Sequence, residues 1–76
     1  MGPLTIVDNN NSVFAEYWGH RYLVEGSNWH ALSPAQKRKI KIVMEALIDK
    51  HIDKVGGQRL NHIEHGHLRL ILLGPL

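Results

Sequence analysis

The chain reads as an α+β domain in which a small antiparallel sheet packs on one long amphipathic helix. Three features lead there: a capped segment with helical periodicity in the middle of the chain, runs of β-branched and aromatic residues before it, and an alternating leucine run after it. All 76 residues are expected to form one domain, 1–76, because the length is too short for two cores and no linker or repeat divides it.

The first run, "LTIV", is followed by "DNNN" and then by "SVFAEYWGHRYLVEG". Both runs carry residues that suit a pleated, half-buried surface, and the polar tract between them suits a turn, so a hairpin is the first reading. The rival is a helix capped by Asn11 or Ser12 and ending at Gly26, since Phe14, Tyr17, Trp18, Arg21 and Tyr22 also share one helical face. Gly19 in its middle weakens that rival.

The stretch "LSPAQKRKIKIVMEALIDKHIDKVGG" predicts a helix over 33–55. Ser33 is a good N-cap, Pro34 fits the first helical position, and Gly56-Gly57 supply a stop. Ile40, Val43, Met44, Leu47, Ile48, His51, Ile52 and Val55 fall on one half of the helical wheel and need a surface to pack on, whereas Arg38, Glu45, Asp49 and Asp53 face away.

Downstream, "RLNHIEHGHLRLILL" folds as a hairpin about His65-Gly66, glycine supplying the positive φ that tight turns demand. A helix over 62–73 is the alternative, and together with the helical reading of 12–25 it would make a three-helix all-α bundle. The alternation of Leu68, Leu70 and Leu72 favours the strand.

"HIEHGH" is the stretch closest to chemistry. In a hairpin turning at His65-Gly66, His62 and Glu64 share a face and His67 stands beside Glu64, so His62, Glu64 and His67 form a candidate ligand set for a divalent first-row metal. The simpler reading is a polar outer face of His62, Glu64, His67 and Arg69, with Ile63, Leu68, Leu70 and Leu72 packed inward. That simpler reading is preferred, and no cofactor is expected. Neighbouring imidazoles beside a carboxylate also make a pH-responsive cluster conceivable. His51, on the apolar side of the helix, reads as a core histidine that needs a hydrogen-bond partner.

The charge is uneven. Residues 1–33 carry one Arg against three acids, and residues 34–76 carry eight Lys and Arg against four acids. Lys37, Arg38, Lys39 and Lys41 crowd the first turns of the helix, where the dipole disfavours cations, which points to contact with phosphates or with an acidic protein surface. The aromatic residues lie outside this basic turn, and Trp18 and Trp29, with Arg21, have the side-chain types that anchor interfaces.

The absences matter equally. The sequence holds no cysteine, no GxxxxGK[ST], no GxGxxG, no GxSxG and no HExxH, which removes disulfides, thiolate zinc and the common catalytic signatures. No apolar run reaches the roughly 18 residues of a membrane span, and the start lacks a basic n-region, so a cytoplasmic, non-membrane protein is expected. A chain this short buries only roughly 60 % of its unfolded surface, which favours self-association. The function expected is a non-enzymatic protein-binding module (a regulator, inhibitor or assembly factor) acting through Trp18, Arg21, Trp29, Lys37, Arg38, Lys39 and Lys41. Nucleic-acid binding by the basic turn is the second reading, and histidine-based metal binding the third.

Overall fold

The computed structural model describes residues 4–52 and 55–76. It is an α+β fold: five antiparallel strands and one helix, not a three-helix bundle. The strands are β1 (Thr5–Asp8), β2 (Val13–Tyr17), β3 (His20–Glu25), β4 (His62–His65) and β5 (Leu68–Pro75), and the helix, α1 (Pro34–Lys50), lies between β3 and β4 in the chain. Across the sheet the order is β1-β2-β3-β5-β4, with β3 at the centre.

The second run is two strands and not one. β2 and β3 are joined by Trp18-Gly19, both with positive φ (53° and 77°), which is the hairpin turn whose twist matches that of its strands. This turn carries no signature in the sequence, because tryptophan is not a residue that favours a left-handed backbone.

The second hairpin forms as expected, but one residue later. His65 pairs with Leu68, so Gly66-His67 is the turn and Gly66, at φ 62°, takes its first central position. Glu64 therefore stands opposite Arg69, not His67. Glycine in that place satisfies a two-residue turn that needs positive φ only at its first central residue.

Helix α1 begins as read from the sequence. Ser33 caps it, accepting from the Gln36 N–H while the Gln36 side chain accepts from the Ser33 N–H. It ends at Lys50, five residues short of the expected 55. The His51 N–H turns back to the carbonyls of Leu47 and Ile48, and Ile52 then pairs with Arg59 in an isolated bridge, so strand-like pairing wins over helical periodicity. Val55, expected on the apolar side, is 99 % exposed. Asp53 lies outside the described residues.

The helix covers one face of the sheet only. Met44 and Ile48 pack on Val13, Ala15, Tyr17, Tyr22, Val24, Ile63, Leu68 and Leu70, and Trp29, in a short 3₁₀ turn, closes one end of this core. Polar ties fix the helix to the first strands: the Leu4 N–H donates to Glu45 at 2.6 Å, and the Tyr17 hydroxyl to Asp49 at 3.2 Å. No helix among the described residues is long and apolar enough to cross a membrane.

Candidate protein-contact face

Alternation in the sheet sends every second side chain away from the helix, to a face that nothing in the described chain covers. The register aligns these outward positions into rows. Val7 pairs with Phe14, Phe14 with Leu23, Leu23 with Ile71, and Ile71 with His62, giving one row that crosses all five strands. Its first four members are apolar and all four are partly exposed.

Charged rows flank it. Towards the Trp18 turn, Arg21 donates from Nε and Nη2 to Glu16 at 3.0 and 2.6 Å, and its guanidinium lies 5.8 Å from the centre of the Phe14 ring. On the other side Arg69 sits between Glu64 at 3.1 Å and Glu25 at 3.5 Å. An apolar centre with a polar rim is the anatomy of a protein interface.

The apolar surface continues beyond the Glu16–Arg21 row. A register shift in β5 between the partners of Arg21 and Tyr22 makes room for an extra residue, Leu73, which is 53 % exposed. Leu73, Gly74, Pro75 and Leu76 line a cleft of about 390 Å³ with Arg21. Trp18, 50 % exposed, stands edge-on to Tyr17 at 5.7 Å, and the Leu76 N–H donates to the carbonyl of Gly19 in the same turn.

The residues picked out in the sequence are therefore dispersed. Trp18 and Arg21 belong to this face and its rim. Trp29 is 7 % exposed and is a core residue, and Lys37 lies over its ring at 5.4 Å, so both serve packing. Arg38 and Lys39 are exposed and Lys41 partly so, at the start of the helix on the opposite side of the molecule from the open face, and no ion pair among the described residues includes them. Phe14, Leu23 and Ile71 were missed. The signal was present in "VFAEY", "HRYLVE" and "LRLILL", where outward positions of one-sided strands are apolar.

The histidine cluster does not converge. His62 Nε2 lies 3.3 Å from Glu64, but Glu64 is shared with Arg69 and His67 is on the turn. Among the described residues no group of three His, Cys, Asp or Glu is placed to hold a metal. His65 and His67 border a separate cleft of about 540 Å³ against Ile40 and Val43 of the helix. His51 does find its partner, the Leu47 carbonyl at 2.8 Å from Nδ1.

Two tyrosines report the interior. Burial pushes the Tyr17 hydroxyl above its ordinary value, and the nearby Asp49 and Glu45 carboxylates add to the effect. Burial also raises Tyr22, against the opposing charge of Arg59. Among the described residues the buried Tyr22 hydroxyl and Arg59 Nη1 have no hydrogen-bond partner, while Arg59 Nε donates to His20 Nδ1 at 3.2 Å.

Compared with known proteins, the chain matches no family model, no curated protein sequence and no solved structure.

Proposed function

We propose that this chain is a protein-binding domain, acting by contact and not by catalysis, and that its contact surface is the open face of the sheet with Trp18 at its rim. The observation that carries the reading is the row Val7, Phe14, Leu23 and Ile71, four apolar side chains on a face with no covering layer. A sheet in a domain normally buries its apolar face against another element. Here the helix does so on one side, and the sequence spends four further apolar residues on the other. Covering the part of each that remains exposed contributes on the order of 1 kcal/mol, and the aromatic and arginine residues at the rim are the types that dominate interface energetics.

The test is a photo-reactive amino acid placed at position 23 and, as a control, at position 46, which is exposed on the far side of the helix. In cells making the full protein, discrete adducts from position 23 and none from position 46 are expected. Adducts from position 46 alone, or from neither position, would remove the reading.

A second reading rests on a separate observation. Arg38, Lys39 and Lys41 stand near the helix N-terminus with no acidic residue in its first turn, an arrangement suited to phosphates. If these residues bind nucleic acid, affinity for mixed-sequence DNA or RNA falls steeply between 50 and 200 mM salt. No binding at low salt excludes it.

A further inference from the structure

Resting on the protein-contact reading of the open face, we infer that its occupant is a second copy of this chain, docked sheet to sheet about a two-fold axis that runs along the apolar row. The argument is charge complementarity. For an axis through Leu23, at the centre of the sheet, the choice lies between the row and β3, and the two bring different residues together.

With the axis along the row, Val7, Phe14, Leu23 and Ile71 each meet their own counterparts, and the row beside Trp18 in one copy faces the opposite row of the other. On β3 that sets Arg21 against Glu25 of the second copy, twice by symmetry, since the two residues lie on the same strand on either side of Leu23. Glu16 of β2 then faces Ser12, the residue just before that strand, and Arg69 of β5 faces Gly74, so no like charges meet there. With the axis along β3, Arg21 meets Arg21 and Glu25 meets Glu25, and both contacts are repulsive. About an axis along the row the face is thus self-complementary, and about β3 it is self-repelling; the first is what an isologous contact requires.

The size of the core points the same way. Among the described residues twelve apolar side chains are buried, and Tyr22, Leu4, Met44, Ile48 and Leu70 are the largest fully enclosed. A chain of this length with no disulfide gains from a second layer on its sheet. Two aligned sheets pack about 10 Å apart, so the second copy would complete a four-layer helix-sheet-sheet-helix assembly.

The experiment is sedimentation equilibrium of the purified full chain, with folding of each variant checked by circular dichroism. A dimer at tens of micromolar is expected for the native sequence and a monomer for Leu23→Glu. Arg21→Glu and Glu25→Arg should each raise the dissociation constant tenfold or more, and the double exchange should restore most of the loss. Because each of these charges also has a partner within the chain, a second measurement stands apart from them. The chain has no cysteine, so Phe14→Cys and Ile71→Cys provide single thiols for a bis-maleimide spanning about 10 Å, the sheet spacing. Each variant should cross-link to itself. A preference for Phe14→Cys joined to Ile71→Cys in a mixture would place the axis along β3 and overturn the inference, as would a dimer that persists in Leu23→Glu. A native monomer that still yields photo-adducts from position 23 with another protein would overturn self-docking while leaving the protein-contact reading intact. A native monomer with no such adducts would remove both.

Discussion

Gly26 sits where the backbone of one loop meets the turn of another. Its φ is 76°, and a Cβ built there would overlap the carbonyl group of His67 in the β4–β5 turn. Any side chain must therefore push the two segments apart as well as adopt a left-handed backbone. Gly26→Ala is expected to cost about 3 kcal/mol or more, read from urea unfolding; a loss below about 1 kcal/mol would show that the turn yields freely. Trp18 is the opposite case, a bulky residue held at φ 53° while half exposed. Asn before Gly suits this turn far better, so Trp18→Asn should raise stability by about 0.5–1 kcal/mol and weaken partner binding, the pattern of a residue kept for contact and not for folding. A fall in stability with unchanged binding would reverse that assignment. Tyr22 supplies the third residue-scale expectation. Its hydroxyl is buried and unpaired among the described residues, so Tyr22→Phe should be neutral or stabilising by about 1 kcal/mol. Since the folded-state pKa values of Tyr17 and Tyr22 are raised above 10.0, the unfolded chain loses these protons first. Stability from these groups is fully present below about pH 10 and is lost as pH rises through the folded values. Unfolding curves at pH 8 and pH 11 should show the decline, and it should be smaller in Tyr22→Phe.

At the scale of elements, the helix start was legible because its signals are chemical and local: Ser33 and Pro34 each do what their side chains predict, and Gln36 completes the cap. Its end was not, because Ile52 left the helix to pair with Arg59, a contact seven residues away in sequence that no periodicity reveals. The same division holds for the hairpins. Gly66 marked the second turn, yet the register shifted by one residue, which took His67 away from Glu64 and dissolved the metal-like trio. The first turn was invisible because Trp18 carries it. The basic turn of α1 gives an element-scale prediction. With Arg38 and Lys39 exposed and in no ion pair among the described residues, replacing either by Glu should stabilise the helix slightly, by up to about 0.3 kcal/mol, since they lie in its second turn where the dipole is weaker. Thermal melts at low ionic strength check this, and a destabilised variant would mean that these cations hold a contact within the fold.

For the whole molecule, the fold class could be read from the sequence because each segment's period agreed with its place in the architecture. The contact face was only partly legible. Trp18 and Arg21 stood out by residue type, but nothing in residue type separates Phe14, Leu23 and Ile71 from core residues; strand pairing does, setting them on the side away from α1. Composition alone does not say which face of a strand meets the helix. Trp29 shows the converse, an interface-type residue that the helix start buries. The open face is expected to be covered in the working protein. Hydroxyl-radical labelling of Phe14, Leu23 and Ile71 measures this directly, with Leu60, 47 % exposed and off the apolar row, as the internal reference. In the assembly isolated from cells the three should be protected relative to Leu60, and after dilution to nanomolar concentration they should become labelled. Equal labelling of the three residues in both samples would mean that the face stays open.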